Sequence, residues 1–209
     1  RIKIDDFIGN FKELSLKKTI LENIPNNSNF ISGNSLPIRH LDLILNKSNK
    51  INIVGNRGLS GIDGNISIAT GYSSVSDNHT YLDIGDLSFF HDVSSLITAV
   101  RHASNLTIIV NNNKGGQIFN LLPQKKNMKK IYDEWFITSH SDFSIENISK
   151  SFGCEHHYAN NYSELKNIIL ENLSKNKVDI IELDISNSDY EDFNSEINKI
   201  ITDFDKDND

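Results

Sequence analysis

The sequence contains few cysteine, proline, tryptophan and methionine residues. Its 209 residues include one cysteine, three prolines, one tryptophan and one methionine. The single cysteine, Cys154, excludes an internal disulfide and favours a reducing compartment, so we expect a cytoplasmic protein. No apolar run reaches the ~20 residues of a membrane span, and the first residues lack the pattern of a signal peptide.

Basic residues are fewer than acidic ones. The chain has 21 Lys and Arg and 28 Asp and Glu, which gives a net charge of −7. One small basic group, which we interpret as a solvated helix face, consists of Lys125, Lys126, Lys129 and Lys130. An acidic chain without a basic stripe is not expected to bind nucleic acid. The fingerprint Gly-x-Gly-x-x-Gly is missing as well, which argues against a Rossmann-type dinucleotide site.

Short apolar runs alternate with helical patterns along the chain. The runs predicted as strands are Asn29–Ser32, Ile51–Gly55, Tyr81–Ile84, Leu106–Asn111, Cys154–Tyr158 and Val178–Asp184. The stretches predicted as helices are Leu36–Leu45, Ile62–Ser73, Val93–Ala103, Met128–Thr138, Ser144–Ser151 and Tyr162–Ser174. Several strands are almost continuously apolar, as in a sheet buried on both faces. The pattern predicts an α/β fold with a doubly wound, mainly parallel sheet and helices on both faces.

The length suits one domain with short extensions. We place the domain at residues 28–186, after a helix and linker from a preceding region (1–27) and before a C-terminal helix and acidic tail (187–209). Within the domain, Asp92 is expected to cap the third predicted helix and Ser163 the last one. Because the first residue is Arg1 and not Met, we expect a piece of a longer polypeptide or a trimmed one.

Glycine and polar residues gather where four predicted strands end. These clusters are Gly33–Ser35, Gly55–Gly58, Gly85–Ser88 and Asn111–Gly116. Ligands of doubly wound folds bind at the carboxyl ends of the strands. The four clusters are therefore predicted to form one binding site.

Two of these clusters have the chemistry of a metal–diphosphate site. Asn113 lies 27 residues after Asp86 (113 − 86 = 27), and one predicted helix and one predicted strand fill the interval. The Asp86 carboxylate, the Asn113 amide oxygen and the Gly115 carbonyl are hard donors that suit Mg²⁺, which Mn²⁺ could replace. Either half alone is more typical of an ordinary turn aspartate or a polar strand end.

The spacing resembles the signature of thiamine-diphosphate enzymes, in which Gly-Asp-Gly, a helix and a strand precede Asn-Asn. Here Leu87 occupies the third position, and three successive asparagines leave the register open. We match Asn112 and Asn113, because Gly115 and Gly116 then fall where the family has them. The resemblance implies thiamine diphosphate as cofactor, in contact with Gly85, Asp86, Leu87, Ser88, Asn113 and Gly115.

Three further blocks resemble one group of these enzymes, the 2-succinyl-5-enolpyruvyl-6-hydroxy-3-cyclohexene-1-carboxylate synthases of menaquinone biosynthesis. The blocks are Gly33–Arg39, Asn56–Gly64 and Gly116–Pro123. The resemblance implies a transferase that decarboxylates 2-oxoglutarate and adds the succinyl carbanion equivalent to isochorismate. Ile62 matches the apolar residue that supports the bent cofactor. The implied substrate contacts are Ser35, Arg39, Arg57, Ile118, Phe119 and Leu122.

Enzymes of this class bind the cofactor between two domains, usually from different subunits. The second domain binds the aminopyrimidine and supplies an activating glutamate, and no glutamate here lies in a context that matches it. We therefore expect a missing pyrimidine-binding domain from a second subunit, a homo-oligomer, and no turnover by this chain alone. Two alternatives stay open: another thiamine-diphosphate decarboxylase, such as an acetolactate-synthase-like enzyme, and a non-catalytic α/β binding module.

Overall fold

One parallel sheet of six strands organises the chain. The computed structural model describes residues 7–46, 50–103, 105–122, 129–140, 142–173, 177–186, 193, 195–197, 199 and 202. The strands are β1 Asn29–Ser32, β2 Asn52–Gly55, β3 Thr80–Gly85, β4 Leu106–Asn112, β5 Glu155–Ala159 and β6 Val178–Asp184. Each corresponds to a predicted strand, and their order in the sheet is β2-β1-β3-β4-β6-β5. Every pairing is parallel, so the predicted fold class is confirmed.

The main helices of the described ranges flank the strands. They are α1 Lys12–Asn23, α2 Leu36–Ile44, α3 Asn65–Val75, α4 Asp86–His91, α5 Leu96–His102, α6 Lys129–Tyr132, α7 Ile145–Ser151 and α8 Tyr162–Asn167. Two of them continue as single π-helical turns, Asp133–Ile137 after α6 and Ile168–Asn172 after α8. None of the described helices is long and apolar enough to cross a membrane. Several predicted positions lie outside the described residues: Pro123, Lys125, Lys126, Met128 and Ser174.

The four inner strands, β1, β3, β4 and β6, bury alternate side chains on the two faces of the sheet. On one face, Phe30 and Ile181 pack with apolar residues of α1, α2 and α8. On the other face, Ile31 and Ile180 pack with residues of α3, α5 and α7. Because both faces are covered, the strands need the nearly continuous apolar sequence from which they were predicted.

The opening helix α1 packs into the same core as the sheet. Its Leu14 and Ile20 side chains are fully buried. Near the other end of the chain, the Phe193 ring lies 4.7 Å from the ring centroid of Phe11 and 5.3 Å from that of Phe7. Most of residues 187–209 lie outside the described part, and the domain boundaries at 28 and 186 stay a prediction.

The structure changes both predicted helix caps. Asp92 stands directly before the 3₁₀ turn Val93–Ser95 that leads into α5, but its side chain accepts no backbone N–H of that turn. The Oδ2 atom of Asp92 accepts the backbone N–H of Ile66 at 2.6 Å, so Asp92 caps the first turn of α3 from a distant position in the sequence. The last helix, α8, is capped by Asn161, whose Oδ1 accepts the N–H of Glu164 at 3.0 Å, and not by Ser163. The structure also adds α4, a short helix that the sequence pattern did not predict.

The carboxyl ends of β1 and β3 mark the switch point of the sheet. The chain leaves β1 for β2 on one side and later returns to place β3 on the other side. Connections that diverge in this way leave a crevice above the strand ends, where doubly wound folds bind ligands.

Candidate functional site

A cavity of about 410 Å³ opens at the carboxyl ends of β1, β3 and β4. The predicted site residues that line it are Ser35, Arg39, Arg57, Ile62, Gly85, Asp86, Leu87, Ser88, Asn113, Gly115, Ile118 and Phe119. Leu122 is the exception, since it is 40% exposed and is not part of the lining. Residues far apart in the sequence thus share one crevice, at the switch point of the sheet.

Asp86 is the first residue of α4 and is 3% exposed. Its Oδ1 accepts the N–H of Leu87 at 2.8 Å, and its Oδ2 accepts the N–H of Gly115 at 2.8 Å. Burial raises the pKa of Asp86 to about 6, although both hydrogen bonds lower it. A carboxylate that is desolvated in this way is a favourable neighbour for a cation.

The three successive asparagines at the end of β4 point in alternate directions. Asn111 and Asn113 are buried and line the cavity. Asn112 faces the other side, where its amide donates to Oε1 of Glu182 at 2.6 Å. Alternation along the strand therefore places the first and the third asparagine in the cavity.

Gly115 has a backbone conformation that disfavours other residues, with φ at +121°. A Cβ atom at this position would collide with the carbonyl oxygen of Ile137. The N–H of Gly116 donates to the same oxygen at 2.6 Å. The two glycines thus let the π-helical turn after α6 lie directly against the loop Asn113–Gly116.

Two arginines lie on the β1 side of the cavity. Nη1 of Arg39 donates to the carbonyl of Ser35 at 2.7 Å, and Nη1 of Arg57 donates to Oδ1 of Asn34 at 3.1 Å. Each guanidinium carries five N–H donors, so these single bonds orient it and leave donors for a ligand. Ser35 itself has φ at +72°, a strained conformation of the kind that often occurs at functional sites.

A network of asparagine side chains, which the sequence did not reveal, holds the loop after β2. The Asn34 amide donates to the carbonyls of Asn56 at 2.7 Å and Gly61 at 2.8 Å. Asn65 accepts from the Asn56 amide at 3.0 Å. These bonds fix the loop that carries Arg57, so the arginine is presented by a rigid support.

The same network includes Ser88, which lies two residues after Asp86 on α4. The Asn65 amide donates to Oγ of Ser88 and to the carbonyl of Ile62, both at 3.0 Å. The Ser88 hydroxyl donates to the Ile62 carbonyl at 2.5 Å. Ser88 thus uses its hydroxyl proton to join α4 to the backbone of Ile62, which holds Ile62 next to the first turn of α4.

Glu13, on α1, is another lining residue that the sequence did not reveal. It is 1% exposed, and its Oε1 lies 3.0 Å from Nδ1 of the equally buried His40. A helix read from sequence as a linker thus contributes an acidic group to the cavity wall.

The donor set at the cavity fits a small divalent cation. Among the described residues, no group of three or more His, Cys, Asp and Glu side chains converges as a metal site. A cation beside Asp86 would therefore rely on one carboxylate together with amide and backbone oxygens, as Mg²⁺ bound to a diphosphate does. The hydrogen bond from the Gly115 N–H to Oδ2 of Asp86 places these two residues side by side.

Residues 42–183 match the family model of the thiamine pyrophosphate enzymes, C-terminal TPP binding domain. The chain is 36% identical over 167 residues to the 2-succinyl-5-enolpyruvyl-6-hydroxy-3-cyclohexene-1-carboxylate synthase of Geobacillus kaustophilus. This match covers 79% of the chain and 28% of that enzyme. It is 42% identical over 127 residues to the synthase of Lysinibacillus sphaericus. This match covers 60% of the chain and 22% of that enzyme. The chain thus spans 28% or less of these relatives' length.

Solved structures of two decarboxylases share the fold. The thiamine diphosphate-dependent 4-hydroxybenzoylformate decarboxylase of Rhodococcus jostii RHA1 superposes with a TM-score of 0.67 at 13% identity, over 81% of this chain and 31% of that one. The benzoylformate decarboxylase of Polynucleobacter necessarius superposes with a TM-score of 0.65 at 17% identity. The superposition covers 84% of this chain and 33% of that one. At these identities, the likeness concerns the fold alone.

Proposed function

The chain belongs to the family of thiamine pyrophosphate enzymes, as their C-terminal TPP binding domain, and we propose that it is the cofactor domain of a 2-succinyl-5-enolpyruvyl-6-hydroxy-3-cyclohexene-1-carboxylate synthase. Such a transferase decarboxylates 2-oxoglutarate and joins the remaining four-carbon unit to isochorismate in menaquinone biosynthesis. The observation that carries the proposal is one cavity that joins Asp86, Asn113 and Gly115 with Arg39 and Arg57. The identity to synthases of this kind supports it.

The cofactor contacts follow from the cavity. Thiamine diphosphate, when bound, supplies the electron sink for decarboxylation and for the new carbon–carbon bond. Asp86, Asn113 and the Gly115 carbonyl would hold Mg²⁺, or Mn²⁺ in its place. Gly85, Leu87 and Ser88 at the start of α4 would lie along the diphosphate, and Ile62 would support the rings, because all of these residues line the same crevice.

The substrate contacts lie on the β1 side. Both substrates carry carboxylates, and planar guanidinium groups bind carboxylates through two parallel hydrogen bonds. We assign this role to Arg39 and Arg57, with Ser35 beside them. Ile118 and Phe119 would form an apolar wall that excludes water. Leu122 would join this wall only if its exposed side chain turned inwards.

The proposed enzyme needs more than this chain. We assign the activating glutamate and the pyrimidine-binding surface to a second domain, supplied by another subunit of a homo-oligomer. The chain alone should then bind the cofactor weakly and should not turn over. Within the chain, residues 28–186 form the cofactor domain of this proposal, and the single cysteine supports a cytoplasmic enzyme.

An activity assay tests the substrate assignment. The chain, together with any domains that accompany it in the natural protein, is given thiamine diphosphate, Mg²⁺, 2-oxoglutarate and isochorismate. Joint consumption of the two acids, with release of CO₂ and a product of the expected mass, would support the proposal. Turnover of pyruvate in place of 2-oxoglutarate would indicate another decarboxylase of the family. Absence of cofactor binding would indicate a non-catalytic module.

A matched pair of variants separates the substrate role from the cofactor role. Arg57→Ala is expected to lower kcat/KM by about 10-fold or more, because charge-assisted hydrogen bonds are lost. Its affinity for thiamine diphosphate should stay unchanged. Arg101→Ala, at the exposed end of α5, is the control and should leave both quantities unchanged.

A further inference from the structure

The Asn111 side chain has an amide group that the proposed function does not yet use. Asn111 is 1% exposed and lines the cavity from β4. Its Nδ2 donates to Oδ1 of Asp83 at 2.5 Å and to the carbonyl of Ile84 at 2.8 Å. In the described part of the chain, its Oδ1 is buried and accepts no hydrogen bond.

The two neighbours of the nitrogen fix the orientation of this amide. The Ile84 carbonyl can only accept. The other oxygen of Asp83 accepts from Nζ of Lys17 at 2.7 Å, in an ion pair whose side chains are 3% and 1% exposed. A carboxylate paired with an ammonium is an acceptor on both oxygens. A flipped amide would place Oδ1 against two acceptors, so the nitrogen must face Asp83 and Ile84.

The amide oxygen therefore lies on the other side of the Asn111 side chain, which lines the same cavity as Asp86 and Asn113. In the sheet, Asn111 pairs with Gly85, the residue immediately before Asp86. Asn113, two residues further along β4, also lines the cavity. A buried acceptor without a donor is unfavourable, and such groups in native proteins usually have a partner in a ligand or an ordered water.

We propose that Asn111 is a further binding residue of this cavity, whose Oδ1 accepts a hydrogen bond from a water molecule in the coordination sphere of the bound divalent cation. Lys17 and Asp83 are positioning residues that hold the amide in this orientation. The inference rests on the proposed cation site at Asp86, Asn113 and Gly115. It adds a residue outside the Asn112-Asn113 pair of the signature. It also gives the opening helix α1 a role in the site.

Cation binding tests the role of Asn111. Mn²⁺ is titrated by electron paramagnetic resonance in the presence of thiamine diphosphate, with the chain and any domains that accompany it naturally. Asn111→Ala is expected to weaken Mn²⁺ binding about 10-fold, because a hydrogen bond to a charged group is lost. The matched control is Asn147→Ala, at an exposed position of α7, which should bind Mn²⁺ as the parent does.

A second variant keeps Asn111 and changes only its support. In the double variant Lys17→Met with Asp83→Asn, the new amide at position 83 can donate to Oδ1, so that the Asn111 amide is free to turn. Mn²⁺ binding should weaken as in Asn111→Ala, and adding Asn111→Ala to the double variant should weaken it no further. Circular dichroism and thermal unfolding verify that each variant is folded.

The outcomes separate this inference from the proposed function. If the parent binds Mn²⁺ with thiamine diphosphate, and Asn111→Ala binds it equally well, the role of Asn111 is wrong and the cation site stands. Additive losses in the triple variant would show that Lys17 and Asp83 do not act through Asn111. If the parent binds no Mn²⁺, the proposed cation site fails, and the role of Asn111 fails with it.

Discussion

The backbone N–H of Gly115 donates to Oδ2 of Asp86 at 2.8 Å. This bond joins the ends of β3 and β4 and holds Asp86 and Gly115, which supply two of the proposed cation ligands, side by side. Preorganised ligands lower the entropic cost of binding. The loop that carries Gly115 is in turn held by the π-helical turn at Ile137.

Gly115→Ala should destabilise the protein, because a Cβ atom would collide with the Ile137 carbonyl and φ is +121°. We expect a loss of about 1–3 kcal/mol in the free energy of unfolding, measured with urea. The matched control is Gly71→Ala inside α3, where the added Cβ meets no atom within 4 Å. That substitution should stabilise the protein by about 0.5–1 kcal/mol. Equal effects at the two positions would contradict the proposed contact.

Asn65→Ala should remove the support shared by Ser88 and Ile62. The buried partners lose their hydrogen bonds, so we expect a loss of about 1–3 kcal/mol in unfolding free energy. The affinity for thiamine diphosphate should also fall, because Ile62 is no longer held in the cavity wall next to Ser88. Asn147→Ala, at an exposed position of α7, is the control and should change stability by at most about 0.5 kcal/mol. Unchanged stability in Asn65→Ala would show that the network contributes nothing.

Asp92→Ala should shorten or loosen α3, whose first turn loses its acceptor. Helix caps contribute about 1–2 kcal/mol, and thermal unfolding should show a loss of this size. Hydrogen exchange should locate the loss at Ile66 and Ser67, which both donate to Asp92. Ser163→Ala should have almost no effect, because Asn161 and not Ser163 caps α8. Faster exchange in α5 instead of α3 would support the cap expected from the sequence.

Arg57→Lys should show whether the planar guanidinium matters beyond its charge. Lysine cannot form two parallel bonds to a carboxylate or keep the bond to Asn34 in the same geometry. We expect KM for the carboxylate substrates to rise about 10-fold, with a smaller change in kcat. Arg101→Lys is the control for a general effect of the exchange. Equal KM values in parent and Arg57→Lys would mean that Arg57 acts only as a charge.

The sheet could be predicted from sequence largely because several of its inner strands are nearly continuous apolar runs with turn residues at their ends. Runs such as Leu106–Asn112 leave few other interpretations, and their bounds were predicted to within one residue. Helix α4 was not predicted, because Asp86–His91 is too short to show a helical period. The Asp92 cap was misplaced, because its partners belong to a helix that lies far away in sequence and close in space.

The candidate site could be predicted only in part, because some of its contacts join residues that are far apart in the sequence. Asp86 and Asn113 stand in a recognisable spacing, and the structure places them in one cavity. Asn34 and Asn65 act through long-range hydrogen bonds, which have no local pattern in a chain rich in asparagine. Glu13 lies in no recognisable sequence context, and it lines the cavity only because α1 packs against the sheet and buries this side chain.

Calorimetry of thiamine diphosphate binding, in Mg²⁺ and in EDTA, tests the central claim most directly. It compares the parent, Asp86→Ala and the exposed control Asp77→Ala, each with any domains that accompany the chain naturally. We expect binding that requires Mg²⁺, that disappears in Asp86→Ala and that is unchanged in Asp77→Ala. Equal binding in EDTA, or equal binding by Asp86→Ala, would contradict a cation held at Asp86.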